Sequence, residues 1–372
     1  MTPTIGYGII GCGMMGQEHL RNIALLPQAH VAAIFEPDAQ MRAAAAALAP
    51  NADCVDTMQQ VLDHPDVDVL LIVSPNHLHL PQLEQIAKSR HRPILVEKPL
   101  FTEVNDLERV RAFERDYTAP VWVAMEYRYM PPIAHFLSEI EDVTGGVKML
   151  SIREHRFPFL QKVGDWNRHN AKSGGTFVEK CCHFFDLMRF TLGSNPVRIM
   201  CSGGQSVNHL DEVYDGIPSD IWDNGYVIVD FENGARALLE LCMFAEGSAY
   251  QEELSATGPV GKIESFVPGP TRFWPAEMGD APVPHIVVSP RTGKGLSKTE
   301  IPVDPTLLAA GDHNGSTFYQ HQRFLQMVTD GTSAPEVSLD DGIWAVRMGQ
   351  AAQMSAMTGR AVTIDPDRNL TA

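Results

Sequence analysis

The stretch Ile5-Gly6-Tyr7-Gly8-Ile9-Ile10, followed at once by Gly11-Cys12-Gly13-Met14-Met15-Gly16, decides how the rest of the chain is read. The first six residues form a short apolar run of the kind a buried parallel strand requires. Gln17 to Leu26 carries Leu20, Ile23, Ala24 and Leu26 near helical spacing. The three glycines therefore lie on a strand-to-helix turn. On such a turn Gly11 permits the tight bend, Gly13 lets backbone approach a pyrophosphate, and Gly16 lets the helix pack on the strand. The helix N-terminus, with the backbones of Met14 and Met15, then offers free N–H groups and partial positive charge to phosphates. A glycine pattern alone is a weak signal, and a turn that binds nothing is the competing reading.

Glu36 weighs against that competitor. It ends a second apolar run, His30 to Phe35, about twenty residues past the last glycine, where an acid hydrogen-bonds the adenosine ribose of a dinucleotide. An acid there repels a 2′-phosphate, and no Arg or Lys follows until Arg42, so NAD is expected over NADP. A solvated surface glutamate is the bland alternative.

Strand and helix patterns keep alternating beyond this point. Val67 to Val73, Pro93 to Val96 and Val121 to Met125 read as strands; Leu78 to Lys88 and Val104 to Arg115 read as helices. The alternation predicts an α/β fold, a doubly wound parallel sheet of Rossmann type over residues 1–130. Ligands of such sheets lie beyond the carboxyl ends of the strands. Those ends carry Ser74-Pro75-Asn76-His77, Glu97-Lys98-Pro99 and Glu126-Tyr127-Arg128. After residue 146 the rhythm changes to β-rich segments from Lys148 to Phe266, with a helix predicted over Phe177 to Leu192. This predicts a second, α+β domain over residues 131–372, with an open, largely antiparallel sheet. Pro268 to Leu308 reads as a long irregular excursion, and Phe318 to Met327 and Asp341 to Thr358 as closing helices that return to the first domain.

The chain has 372 residues, enough for two cores. Its net charge of −17 argues against a nucleic-acid or anionic-membrane surface. No apolar run approaches the ~20 residues that span a bilayer. No signal peptide is read before the first strand, and six scattered cysteines show no disulfide or zinc spacing, so a reducing cytoplasm is expected.

Taken together, Gly11 to Gly16, Ser74 to His79, Glu97-Lys98-Pro99, Arg128 with Pro131, and Gly174-Gly175 leading to His183 and Asp186 resemble the glucose–fructose oxidoreductase / inositol dehydrogenase / MocA family. The likeness covers nearly the whole chain, including Ser338 to Gly342 before the last helix. It implies a bound nicotinamide and a sugar or cyclitol substrate. It also implies that Lys98 lies beside the nicotinamide and the substrate hydroxyl, with an acid and a histidine from one helix. The family's usual Asp-x-x-x-His is here Glu179-Lys180-Cys181-Cys182-His183, with a longer acid and an unexpected Lys180. The i, i+4 spacing puts Glu179 and His183 on one helix face.

The chemistry agrees. Hydride transfer from a secondary alcohol needs a base for the hydroxyl proton and positive charge to favour the alkoxide. His183 suits the first and Lys98 the second. An isolated histidine is more often a satisfied core residue, and its register with Glu179 favours the catalytic reading. A zinc site at Glu179 and His183 is disfavoured because Cys181 and Cys182 point to other faces of the helix, so no metal is expected. The cofactor side is expected to be Gly11, Gly13, Met14, Met15, Gly16, Glu36, Ser74, Asn76, His79, Glu97, Lys98, Glu126, Arg128 and Trp166.

From Arg153 to Lys172 an acidic protein turns locally basic. Arg156, Lys162 and Arg168, joined by Lys180, His183 and His313, are the expected substrate contacts, and an acidic sugar such as a uronate or sulfonated hexose is the expected substrate. A solvated loop paired with the protein's own acids is the plainer reading. Trp166 could cover the nicotinamide, stack on a sugar ring or fill core. By the resemblance, His313, Tyr319 and His321 line the far side of the pocket. Three functions stand: simple dehydrogenation; glycoside hydrolysis by transient ring oxidation, elimination, water addition and re-reduction; and a non-catalytic NAD/sugar sensor. A homo-oligomer formed through the outer face of the second sheet is expected.

Overall fold

The computed structural model describes residues 4–293, 295–331 and 334–372. The chain forms two compact units. The first holds the chain up to Glu126 together with Gln161–Gly174 and Thr317–Val346. The second holds Tyr127–Leu160, Gly175–Ser316 and the chain from Arg347 onward. The chain thus enters each unit more than once.

The first unit is built on six parallel strands: β1 (Ile5–Ile10), β2 (Ala29–Phe35), β3 (Asp53–Val55), β4 (Val69–Ile72), β5 (Ile94–Val96) and β6 (Val121–Val123). Their order is β3-β2-β1-β4-β5-β6, the doubly wound arrangement in which ligands bind where the strand order reverses, beside β1 and β4. Every residue of β4 and β5 is buried, because helices cover both faces of a parallel sheet and no polar alternation is needed. Edge strand β3 is short and partly exposed, and its sequence carries no apolar run to announce it.

The second unit contains β7 (Met149–His155), β8 (Pro196–Gly204), β9 (Val213–Tyr214), β10 (Ile217–Pro218), β11 (Asn224–Phe231), β12 (Arg236–Cys242), β13 (Glu252–Thr257), β14 (Gly261–Val267), β15 (His285–Pro290), β16 (Ser297–Glu300), β17 (Val362–Ile364) and β18 (Leu370–Thr371). All but the β9–β10 hairpin join one ten-stranded sheet, antiparallel except where β12 runs parallel to β7. Its strands alternate buried and exposed: on β11, Val227 and Val229 are buried while Tyr226 and Ile228 face outward. Helix Pro131–Thr144, opened by a proline that fits the first helical turn, packs against β13 to β15.

Two expectations change here. The excursion from Pro268 to Leu308 contributes β15 and β16 to the sheet edge instead of remaining irregular. The helix expected over Phe177 to Leu192 is two helices, Thr176–Glu179 and Cys182–Leu192. Both the Lys180 and the Cys181 N–H groups turn to the Thr176 carbonyl, at 3.0 and 3.4 Å, so one extra residue enters the turn and interrupts the helix.

Candidate active site

In the first unit, the turn after β1 opens onto a cleft lined by Gly11, Gly13, Met14, Met15, Glu36, Ser74, Asn76, His79, Lys98 and Trp166, among others. Gly11 has φ 84°, and a Cβ there would lie 2.7 Å from the Ser74 backbone, so only glycine fits. A Cβ on Gly13 would meet nothing within 4 Å, which leaves open room above the start of helix Met14–Ile23 for a pyrophosphate. Gly16 lies outside the lining; a Cβ there would press on Cys12 at 3.1 Å, the packing role its position implied. Glu36 is held at the end of β2 by two backbone donors, Cys12 N–H at 2.5 Å and Asp38 N–H at 2.8 Å. The donor set, the open space and the acid fit a dinucleotide.

The remaining polar groups of this unit divide between lining and support. Ser74 donates to Gln82 at 2.6 Å, and the Asn76 amide reaches the Ser173 carbonyl at 3.0 Å. Both His79 ring nitrogens face carbonyls, of Pro99 at 2.7 Å and Ser74 at 2.9 Å, so the imidazole fastens the Lys98 loop. The Lys98–Pro99 peptide is cis. Glu97 ends a buried chain: Tyr7 O–H to His321 Nδ1 at 3.1 Å, His321 Nε2 to His19 Nδ1 at 2.8 Å, and His19 Nε2 to Glu97 at 3.0 Å. A carboxylate can only accept, so His19 is the donor to Glu97. Burial pushes Tyr7 well up and His321 well down. Burial would raise Glu97, but its bond from His19 and the nearby Lys98 charge bring it below the usual carboxylate range. His321 is therefore a core residue of the first unit, at 0% exposure, and not the pocket wall that the resemblance suggested. Glu126 lies outside the cleft lining and accepts from Thr317 at 2.6 Å.

In the second unit, Glu179 and His183 are both buried, on the two successive short helices. Tyr127 lies flat on His183, with ring centroids 4.1 Å apart and planes 8° from parallel. Lys180 donates to the Tyr127 oxygen at 2.5 Å and pairs with Glu154 at 2.8 Å. Glu154 on β7 stands directly opposite Glu252 on β13. Arg156 approaches Glu154 at 3.6 Å, and the His313 ring stands 6.3 Å from Tyr127. Arg128, expected at the cofactor, belongs to this unit and grips Asp186 with two nitrogens at 2.7 and 2.5 Å, beneath Phe190. Its guanidinium is committed to a buried ion pair and is absent from the cofactor cleft lining.

The description "Oxidoreductase family, NAD-binding Rossmann fold" matches residues 5–125, and "Oxidoreductase family, C-terminal alpha/beta domain" matches residues 139–364. The chain belongs to the glucose–fructose oxidoreductase / inositol dehydrogenase / MocA family. Relatives include the uncharacterized oxidoreductase YrbE of Bacillus subtilis, 24% identical over 98% of each chain. An inositol 2-dehydrogenase of Corynebacterium glutamicum is 28% identical over 65% of this chain and 68% of its own. A levoglucosan dehydrogenase solved with NADH and levoglucosan shares the fold at TM-score 0.78, with 20% identity over 97% of this chain and 99% of that one.

Membership makes this chain an oxidoreductase with an NAD-binding Rossmann domain. No helix among the described residues is long and apolar enough to cross a membrane. The basic segment is divided between the two units. Arg153 is paired with Glu253 and Arg156 with Glu154 in the second unit. Lys162, Trp166 and Arg168 fall in the first, where Lys162 and Trp166 line the cleft and the Lys162 ammonium sits 4.5 Å over the indole. Sequence reasoning did not single out Glu154, Glu252, His19 or Tyr7. Glu154 carried a readable signal: it continues the inward register of Leu150 and Ile152, where an apolar residue belongs.

Proposed function

We propose that this chain transfers a hydride between NAD and a ring hydroxyl of a sugar or cyclitol, with an acidic sugar as the preferred substrate. The observation that carries the reading is that Lys98 opens onto the same cleft as the glycine turn and Glu36. NAD, when bound, supplies the hydride acceptor. Glu36 orients it through the ribose and, as an acid, disfavours a 2′-phosphate. Trp166 and Val163 line the same cleft. The Lys98 ammonium stabilises the alkoxide from which hydride leaves, and the stacked His183–Tyr127 pair takes the hydroxyl proton. Glu179 orients that histidine or holds a neighbouring hydroxyl. Lys162 in the first unit, and Arg156 and Lys180 in the second, support the preference for an anionic substrate.

A second reading, redox-neutral glycoside hydrolysis, is favoured by one feature. The Tyr127–Lys180–Glu154 array beside His183 holds more acid/base groups than alcohol oxidation requires. The test is to incubate the protein with catalytic NAD and either free acidic sugars, their neutral analogues, or aryl glycosides. Expected is NADH accumulating with the free acidic sugar, and Lys98→Met that still binds NAD without turning over. Phenol release in excess of NADH would establish the second reading. Turnover retained in Lys98→Met would defeat both.

A further inference from the structure

We propose that Glu154 and Glu252 hold one proton between them and exchange it, through Lys180, with the Tyr127 hydroxyl, so that the second unit carries a buried proton relay beside His183. The relay rests on the proposed redox chemistry for its use and on geometry for its existence.

Glu154 and Glu252 are directly paired residues of the antiparallel β7–β13 ladder, where opposed side chains lie on one face about 5 Å apart at Cβ. Both are almost fully buried, at 0% and 1% exposure. Two carboxylates so placed cannot both ionise cheaply, and the proton stays on Glu252. Burial, then the neighbouring Glu154 charge, push Glu252 up to about 7, against the opposing pull of Lys180, Gln251 and Arg156. Lys180 lies between this pair and the phenol, 2.8 Å from Glu154 and 2.5 Å from the Tyr127 oxygen. Burial pulls the ammonium down, and Glu154 pulls it partly back up. A lysine so balanced can give a proton to one side and take one from the other. Because Lys180 donates into the phenol oxygen, the phenol's own hydrogen points away from it.

The step balances. When a carbonyl is reduced, hydride and its electron pair go to carbon, and the phenol proton goes to the oxygen. Tyr127 recovers a proton from Lys180, and Lys180 recovers one from the carboxylate pair. Oxidation of an alcohol runs each transfer backwards and refills the pair. One proton leaves or enters the acids, no electrons move with it, solvent water restores the pair's single proton before the next turnover, and Tyr127 and Lys180 end as they began.

The readout that needs no substrate is the infrared carbonyl stretch of a protonated, buried carboxyl. It is expected in the wild-type protein at slightly acid pH, lost in Glu252→Gln, and displaced in its titration by Lys180→Met. With NAD and a turned-over polyol, Tyr127→Phe is expected to lower kcat on the order of 10²-fold with little change in KM. It should also abolish the solvent isotope effect. Glu252→Gln is expected to remove an ionisation near neutrality from the kcat profile. Absence of the infrared band, or a Tyr127→Phe protein with the wild-type isotope effect and pH profile, overturns the relay. Where Lys180→Met does not fold, the wild-type and Glu252→Gln spectra still decide. A wild-type protein that reduces NAD with no polyol defeats the dehydrogenase reading, and the spectra then judge the relay alone.

Discussion

Glu36 accepts from two backbone amides, so its carboxylate is fixed before any ribose arrives. Arg42, the first basic residue beyond it, is bonded to the Glu36 carbonyl at 2.8 Å and stands ready at the same turn. Replacing Glu36 with Ala should therefore weaken NAD by at least about tenfold, roughly the loss of one hydrogen bond to a charged group. NADP should weaken less, because a repulsive acid has gone and a guanidinium remains. Titration of nicotinamide fluorescence checks both; unchanged NAD affinity would place the ribose elsewhere. Glu252 makes a pH prediction. Its folded pKa is raised from 4.5 to about 7, so the folded protein binds more protons than the unfolded chain between those values. Stability from this site is full below the lower value and is lost as pH rises through the upper one. Glu252→Gln should thus melt higher than wild type at mildly alkaline pH and show little gain in acid. A gain that is the same at both pH values would show that Glu252 does not titrate in this range.

At the scale of elements, the Arg128–Asp186 pair ties the turn Glu126–Tyr129 to helix Cys182–Leu192. Both side chains are under 10% exposed, so removing one partner strands a buried charge. Asp186→Ala should cost about 3–5 kcal/mol in chemical denaturation, and Arg128→Leu combined with Asp186→Leu should cost less than the sum of the two single changes. Equal additivity would mean the pair is not coupled. The elements themselves were unevenly legible. β1 and β4 could be read nearly to the residue because parallel strands buried on both faces are continuous apolar runs. The Gly11 turn, Glu36 and Lys98 could be placed on one cleft because the carboxyl ends of parallel strands share one edge of the sheet. The break at Lys180 was not, since nothing in Phe177 to Leu192 lowers helix propensity enough to announce it. Helix Pro131–Thr144, missed at the sequence level, has a proline start that could have found it. Networks were the least legible: Tyr7 meets His321 across 314 residues, and Glu154 meets Glu252 only through a strand register.

The whole molecule carries −17, yet the proposed substrate is an anion. Long-range repulsion and local attraction then act at different distances. At an ionic strength of about 0.01 M the screening length is roughly 30 Å, so the acidic surface as a whole opposes the approach of a negatively charged sugar. Near 0.15 M it falls to about 8 Å, and most of that surface is no longer felt. The proposed contacts with Lys162, Arg156 or Lys180 act within a few ångströms, on buried or half-buried side chains that salt screens far less. Raising salt between these two values should therefore increase kcat/KM for an acidic sugar while leaving its neutral analogue nearly unchanged. With Arg156 replaced by Ala the salt response should persist, because it arises from the distant charges, while KM for the acid rises. A kcat/KM that falls with salt would mean that the local cations, and not the net charge, steer the substrate. Identical behaviour of the acid and its neutral analogue would remove the case for an anionic substrate altogether.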